Sequence, residues 1–339
     1  MTSLPRLPGT LVVGTALVLL SLATAITIGP ADLSVPDVVA VVREHLGGPP
    51  ADLSPLRAAI VWELRLPRSI LAAACGAGLA VCGAVLQSLL RNPLADPFVL
   101  GISSGASTGA VAVAVLGIGA GTVGLTGGAF VGALVSFALV ALLAWAAGSG
   151  PDKLILAGVA GTQLFSALTS FIVLTSADPE QTRGVLVWLL GSLGGARWSD
   201  AALVVVVVSL GTLVCLVMAR SLDAFAFGAD AAGTLGVSVR QARAVLLVTT
   251  AAMTAVAVAS AGAIGFVGLV LPHAARAVVG PRHRALLPVT ALVGAVFLVW
   301  ADTIARVVVE PQELPVGVIT ALVGVPAFAL ILRRRGRRA

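Results

Sequence analysis

Three arginine residues have the side chains and positions needed to bind anionic groups. Arg65 and Arg68 lie on either side of Pro67, where a long apolar run begins, and Arg306 follows the end of a later run. A guanidinium group pairs with phosphate or carboxylate oxygens through two parallel hydrogen bonds. The three arginines therefore suit either the phosphates of lipid headgroups or carboxylates that a partner protein presents.

A second candidate site lies in residues 221–243, between two apolar runs. This stretch is predicted to form two short helices separated at Gly233 and Gly236. Leu235 and Val237 would be exposed to water in a plain loop, and exposed apolar groups of this kind indicate an interaction surface. The stretch therefore predicts a docking site for a partner subunit.

Other kinds of chemistry lack their sequence signatures. The single lysine, Lys153, is not in the Gly-Lys-Ser/Thr context of a phosphate-binding loop, and there is no nucleophile elbow, catalytic carboxylate pair or zinc motif. The cysteines and histidines have no metal-ligand spacing: Cys75, Cys82, Cys215, His45, His273 and His283. The sequence predicts a protein that is not an enzyme and binds no metal or cofactor itself.

The elements that must position these residues are long apolar segments. The composition is 58% hydrophobic and 11% charged, and all fifteen acidic residues lie in or at the ends of the gaps. A helix needs about 20 apolar residues to cross a bilayer. We therefore predict one all-α polytopic membrane domain over residues 1–339, with ten spans at 11–28, 69–90, 98–116, 124–147, 154–175, 201–219, 244–262, 266–279, 285–302 and 314–332.

The orientation follows from the distribution of basic residues. With ten spans, both termini lie on one side, which carries thirteen of the 21 Lys and Arg residues against seven on the other. Cytoplasmic loops collect Lys and Arg, so we expect cytoplasmic termini, with the basic tail 333–339 deciding the assignment. Ala23-Thr24-Ala25 resembles a signal-peptidase site. An uncleaved first span is favoured over a cleaved one.

Two stretches are similar at an offset of 175 residues. Residues 65–68 precede the second span as residues 240–243 precede the seventh, and Pro97 corresponds to Pro272. Because five spans separate the copies, they would run in opposite directions across the membrane. This is the pattern of an inverted repeat.

Glycines recur at every fourth position on two neighbouring spans. Small residues at this spacing let helices approach closely. Packing within the chain is favoured over a dimer seam for Gly101, Gly105 and Gly109 on the third span and Gly124, Gly128 and Gly132 on the fourth.

The acidic residues argue against ion-coupled transport. Asp96, Asp152, Asp200 and Asp223 fall at span ends, and Asp302 is expected close to the outer surface. Ion-coupled transporters usually keep ionisable groups at mid-membrane, where each is costly and functional. A secondary transporter is therefore disfavoured, although backbone carbonyls can also bind sodium. A channel or membrane enzyme would need a polar lining or catalytic cluster, and neither is visible.

Several long motifs, in order along the chain, resemble the FecCD family. These are the membrane-spanning permeases of ATP-binding-cassette importers for iron siderophores, haem and vitamin B12. The motifs are LRLPR at 64–68, QSLLRNPLADP at 87–97, LGISSGA at 100–106, GAIGFVGLVLPH at 262–273, ADTIAR at 301–306, ELPVG at 313–317 and GVPAF at 324–328.

The resemblance implies functions for particular residues. Arg65, Arg68 and Arg306 match outer arginines that pair with acidic residues of a substrate-binding protein. The fifth and tenth spans match helices that line a central pathway, and the 176–200 segment matches a short outer gate helix. The residues that the resemblance implies couple the permease to the ATPase are Ala229, Asp230, Gly233, Leu235, Gly236, Val237 and Arg240. Those that it implies form the gate and the pathway are Gly191, Gly194, Gly195, Gly158, Gly161 and Gly317.

The resemblance also implies partners. We expect a second permease subunit, identical or paralogous, two cytoplasmic ATP-binding subunits that use ATP and Mg²⁺, and an extracytoplasmic binding protein. The expected function is import of a metal chelate across the cytoplasmic membrane by alternating access. A ferric siderophore is the leading substrate, with haem and cobalamin as alternatives.

Overall fold

Helices form every regular element of the residues that the computed structural model describes, which are 7–29, 31–119, 122–148, 150–309 and 312–336. A π-helical turn (Ile60–Arg65) joins α3 to α4, and a 3-10 turn (Pro97–Leu100) precedes α5. The α-helices are α1 (Leu7–Thr27), α2 (Val35–His45), α3 (Pro55–Ala59), α4 (Leu66–Leu89), α5 (Ile102–Leu116), α6 (Gly124–Ala146), α7 (Pro151–Ser176), α8 (Pro179–Leu189), α9 (Trp198–Val217), α10 (Ala219–Phe225), α11 (Ala229–Thr234), α12 (Val239–Ala261), α13 (Val267–Val279), α14 (His283–Val307) and α15 (Val316–Gly336).

The predicted spans coincide with helices, which confirms the all-α polytopic fold. Among the described residues, seven helices are long and apolar enough to cross a membrane, with Pro55–Leu89 taken as one continuous helix. The other three predicted spans correspond to shorter apolar helices, Ile102–Leu116, Val267–Val279 and Val316–Ile331. These three apolar stretches are shorter than the roughly 20 residues that a full crossing requires, so the count of ten spans is approximate.

The outward faces of the long helices are apolar. Val131 and Leu142 on α6, and Val206 and Leu210 on α9, are each more than half exposed. Hydrocarbon solvates such side chains well, whereas water does not. This surface therefore fits a lipid environment.

Helix α4 lies at the centre of the bundle, with 18 of its 24 residues buried. Its main partner, α14, runs antiparallel to it. Arg68 at the start of α4 contacts Asp302 near the end of α14, and Ser88 at the end of α4 contacts His283 at the start of α14. We call the end that holds Arg68 the outer end, following the predicted orientation, and the opposite end the inner end.

Glycines let α4 touch its neighbours backbone to backbone. A Cβ atom added at Gly76 would overlap the carbonyl oxygen of Gly294 on α14, and one at Gly83 would overlap that of Gly268 on α13. Small residues allow this separation, at which the backbones themselves make van der Waals contact. The packing of α4 against α13 and α14 therefore depends on these positions.

The glycine pairs between α5 and α6 confirm the prediction of close packing within the chain. A Cβ atom at Gly105 would overlap the carbonyl oxygen of Gly132, and one at Gly109 would overlap that of Gly128. Gly124 differs, because it begins α6 with a positive φ of 63° and has open space around it. The two glycine faces cover each other, so these four residues serve the subunit's own packing.

Helices α4 and α12, which carry the two copies of the predicted repeat, are antiparallel. The Cys75 Sγ atom lies 3.9 Å from the carbonyl oxygen of Ala257, and the Cys82 Sγ atom lies 3.5 Å from that of Thr250. The order of contacts reverses along α12, as an inverted repeat requires. Both cysteines are fully buried in this contact.

We predict that Gly109→Ala destabilises the protein, because the new methyl group would collide with the Gly128 carbonyl and force α5 and α6 apart. Overpacking of this kind costs about 1–3 kcal/mol. Thermal unfolding of the detergent-solubilised protein measures the effect. Gly9→Ala is the matched control, since a Cβ atom there meets no atom within 4 Å. Equal stability of the two variants would contradict the prediction.

Candidate functional site

Arg68 joins three helices at the outer end through two carboxylates. Its Nε atom donates to both Asp302 oxygens at 3.1 and 3.0 Å, and its Nη2 atom donates to Oδ1 at 2.9 Å. Its Nη1 atom donates to Oε2 of Glu313 at 2.8 Å. Arg68 is in the first turn of α4, Asp302 is near the end of α14, and Glu313 precedes α15. The ion pairs therefore hold these three helix ends together.

Arg65 and Arg306 bind the end of α1. The Nη1 atom of Arg65 donates to the carbonyl oxygen of Ile26 at 2.6 Å, and the Nη2 atom of Arg306 donates to that of Ala25 at 3.0 Å. The last carbonyls of a helix have no partner within the helix, and cations there favour the helix dipole. Arg306 also lies 3.4 Å from Asp302 through its Nε atom.

We call Arg65, Arg68, Asp302, Arg306 and Glu313 the outer arginine cluster. Three guanidinium groups face two carboxylates in it, so the cluster has a positive excess. Arg65 is 8% exposed, and the side chains of Arg68 and Arg306 are 11% and 9% exposed. The Glu313 side chain is 52% exposed and is the accessible member of the cluster.

The sequence correctly grouped the three arginines and placed Asp302 near the same surface. It did not identify Asp302 and Glu313 as the partners of Arg68. The spacing of Asp302 and Arg306, four residues apart on one helix, was a usable signal for an ion pair. The carboxylates that the structure shows at the arginines belong to the chain itself, and docking of a partner there stays a prediction.

A glycine junction lies beside the cluster. A Cβ atom at Gly191 would lie 2.7 Å from the carbonyl oxygen of Ala263, and one at Gly317 would overlap that of Leu190. The Ser192 amide donates to the Ala261 carbonyl at 2.9 Å. These contacts bring together the end of the outer helix α8, the turn between α12 and α13, and the start of α15.

The other predicted gate residues are distributed differently. Gly194 lies next to the cluster, since a Cβ atom there would be 3.8 Å from Glu313 Oε2, whereas Gly195 faces open space. On α7, a Cβ atom at Gly158 would overlap the Val99 carbonyl oxygen, and one at Gly161 would lie 2.6 Å from a Val140 methyl group. The structure thus groups Gly191, Gly194 and Gly317, and places Gly158 and Gly161 in packing within the subunit. Their pathway role stays a prediction.

At the inner end, residues 219–234 form the two short helices α10 and α11. The predicted break at Gly233 was wrong, because Gly233 lies inside α11 and the helices separate at residues 226–228. Gly236, with a φ of 83°, follows α11. The left-handed conformation at the end of a helix favours glycine, because glycine has no Cβ atom to clash with the backbone.

The side chains of this segment differ in exposure. Leu235 is 68% exposed, as predicted. Val237 is half-buried against the core, so the chain itself partly covers it and it gives little support for a docking partner. Asp230 lies in the first turn of α11, and Arg240 is exposed in the first turn of α12. Ala229 begins α11. Leu235 and Phe227, which lies between α10 and α11 and is 75% exposed, are thus the large apolar residues of this segment that a docking partner would cover.

Over the parts of the chain that the structure describes, no three His, Cys, Asp or Glu side chains come together as metal ligands do.

Comparison with known proteins gives consistent matches over most of the chain. The profile of the FecCD transport family matches residues 16–334. The cobalamin import system permease protein BtuC of Halobacterium salinarum is 48% identical over 83% of this chain and 75% of its own length. The Fe(3+) dicitrate transport system permease protein FecD of Escherichia coli is 42% identical, over 81% of this chain and 85% of its own.

A solved structure agrees with the sequence matches. A transporter described as of the metal-chelate ABC type, in an inward-facing conformation, has a TM-score of 0.85 and 31% identity, covering 96% of this chain and 99% of its own. The fold is that of a permease subunit of an ATP-binding-cassette importer. The chain belongs to the FecCD transport family.

We predict that Asp302→Ala strongly destabilises the protein, because Arg68 and Arg306 would lose a shared carboxylate in a buried site. Breaking a buried ion pair costs about 3–5 kcal/mol. Thermal unfolding in detergent measures the loss. Glu313→Ala is the comparison, for which about 0–1 kcal/mol is expected because that carboxylate is exposed. A small effect of Asp302→Ala would show that the cluster does not hold the helix ends together.

Proposed function

We propose that this chain is the membrane-spanning subunit of an importer that carries a metal chelate across the cytoplasmic membrane by alternating access. ATP and Mg²⁺ are bound by two separate cytoplasmic subunits. The observation that carries the proposal is the match to the FecCD family over residues 16–334. The sequence adds that these 339 residues contain no phosphate-binding loop.

The substrate we propose is a ferric siderophore. Two relatives are permeases named for cobalamin and for ferric dicitrate, both of which are metal chelates. Cobalamin is the second candidate, because the BtuC relative is 48% identical to this chain. Haem is a further alternative within the family.

The assembly we propose contains two permease subunits, with the pathway between them lined by α7 and α15 and both termini in the cytoplasm. The glycine junction supports a gate at the outer end, because it connects α8 to the start of α15 without intervening side chains. The exposed Leu235 supports contact between α11 and the ATP-binding subunit. Burial of an exposed leucine there would favour docking.

The experiment that tests this function is purification of the tagged protein from its native membrane, followed by reconstitution with whatever subunits accompany it. We expect a stoichiometric ATP-binding subunit and ATP-dependent accumulation of a radiolabelled ferric siderophore in liposomes. Accumulation of cyanocobalamin instead would select the second substrate. Transport by the isolated chain without ATP would overturn the proposal.

The outer arginine cluster supports a specific mode of docking for the binding protein. Arg68 is held by buried Asp302 on one side and by exposed Glu313 on the other. A carboxylate from the binding protein would take the place of Glu313 at Nη1, while Asp302 keeps the guanidinium group oriented. The positive excess of the cluster favours such an exchange.

We predict that Glu313→Gln strengthens binding of the substrate-binding protein, because it removes the carboxylate that competes for Arg68. The expected gain is about fivefold in Kd, or ~1 kcal/mol. Titration of the labelled binding protein onto the permease in nanodiscs measures it.

Glu63→Gln is the matched control, since Glu63 is an exposed glutamate near the same end but outside the cluster. Weaker binding by Glu313→Gln, with an unchanged control, would show that Glu313 itself is part of the docking surface and that no exchange takes place.

A further inference from the structure

A continuous chain of hydrogen bonds lies at the inner end of the bundle, opposite the outer arginine cluster. The Ser88 Oγ atom lies 2.7 Å from Nε2 of His283. The Nδ1 atom of the same ring lies 2.6 Å from Oδ1 of Asp223. His283 is 4% exposed, whereas the Asp223 side chain is 39% exposed, so the chain of hydrogen bonds runs from the interior to the inner surface.

The chemistry of the three groups defines the direction of the bonds. An ionised Asp223 carboxylate only accepts, so Nδ1 of His283 carries a proton and donates to it. In the neutral ring, Nε2 then accepts from the Ser88 hydroxyl. The Ser88 hydroxyl also lies 3.2 Å from the carbonyl oxygen of Ala84. A protonated ring would therefore donate to Ser88, which would donate to Ala84. The chain is satisfied in both charge states of the ring.

Asp223 also holds the start of α14. Its Oδ1 atom accepts from the backbone amide of His283 at 3.0 Å, one of the amides that lack a partner within the helix. Two apolar neighbours on α10, Leu222 and Phe225, are almost fully buried in the core. Helix α10 is thus attached to α14 by two hydrogen bonds of Asp223 and is packed into the core by its apolar side chains.

The two helices that this chain joins are also joined at the outer end. Ser88 is in the last turn of α4 and His283 is the first residue of α14. At the opposite end of the same two helices, Arg68 pairs with Asp302. Since the backbones touch at Gly76 and Gly294 between these ends, α4 and α14 are linked along their whole shared length.

We propose that Ser88, His283 and Asp223 are positioning residues of the transport cycle, forming a joint that makes α10, α4 and α14 move as one body. A displacement of α10 and α11 then reaches the outer arginine cluster directly. The transport role of the joint rests on the proposed function, whereas its mechanical role does not. Packing alone is the competing explanation, and it predicts that removing the polar atoms leaves the helices fixed.

The mechanical role is tested by spin-label distances in the full-length protein in nanodiscs. Labels at exposed positions 234 on α11 and 284 on α14 report the position of the segment relative to the core. We expect a narrow distance distribution in the parent protein and a broader one in Asp223→Ala. Asp223→Asn is expected to restore the narrow distribution, because its amide oxygen accepts the same two bonds. An unchanged distance distribution in Asp223→Ala would overturn the proposal that these residues form a joint.

Ser88→Ala provides a second variant that should fold, since alanine is favourable in helices and Asp223 still caps α14. Ser88→Ala is expected to broaden the distribution of distances between the label at position 234 and a label near the inner end of α4. Asp52→Ala, an exposed aspartate at the outer end, is the matched control and is expected to change neither distance. A narrow distribution in Ser88→Ala would show that α4 is not part of the joint.

The transport role is tested in the reconstituted importer by measuring substrate transported per ATP hydrolysed. We expect this ratio to fall by about tenfold in Asp223→Ala, with ATP hydrolysis near the parent rate, and to recover in Asp223→Asn. An unchanged ratio would overturn the transport role. Absence of ATP-driven transport in the parent protein would overturn the proposed function instead, and the spin-label distances would still decide whether the joint exists.

Discussion

The direct backbone contact between α4 and α14 is the constraint on which the rest of the structure depends. It requires glycine at positions 76 and 294, since either Cβ atom would overlap the opposite helix. Once the two helices touch, Arg68 is brought to Asp302 at one end and Ser88 to His283 at the other. The Arg68–Asp302 ion pair and the Ser88–His283 hydrogen bond thus both result from the packing of α4 on α14 and are not independent of each other.

The outer arginine cluster shows how such a core accommodates charge. A buried guanidinium group is tolerated when carboxylates or carbonyls satisfy it, and here α1 supplies carbonyls while α14 and the segment before α15 supply carboxylates. Acceptors from three separate parts of the chain therefore meet at the cluster. Glu313 is the contribution that remains accessible, so the exchange with a partner carboxylate that we propose would leave Arg68 buried.

Much of the fold was predictable from the sequence, because apolar runs near the length of a membrane crossing leave few alternatives. The arginines could be identified because charged residues stand out at the ends of apolar runs, and the glycines of α5 and α6 because they recur at every fourth position. The partners of Arg68 were not, since Asp302 and Glu313 are more than 230 positions away and only the packing of α4 on α14 brings them near. The break between α10 and α11 was misplaced, because glycine is compatible with the interior of so short a helix.

The attachment of α1 has a consequence for the biogenesis of the protein. The acceptors for Arg65 and Arg306 are the Ile26 and Ala25 carbonyls, and both residues are almost fully buried. Without the first helix, Arg65 would lose the carbonyl that it binds, and Arg306 would keep its contacts with Asp302 and Thr303. Arg65 and Arg306 therefore acquire these acceptors only once α1 lies against α4 and α14, so we expect the outer end of the bundle to reach its final structure after α1 has been inserted.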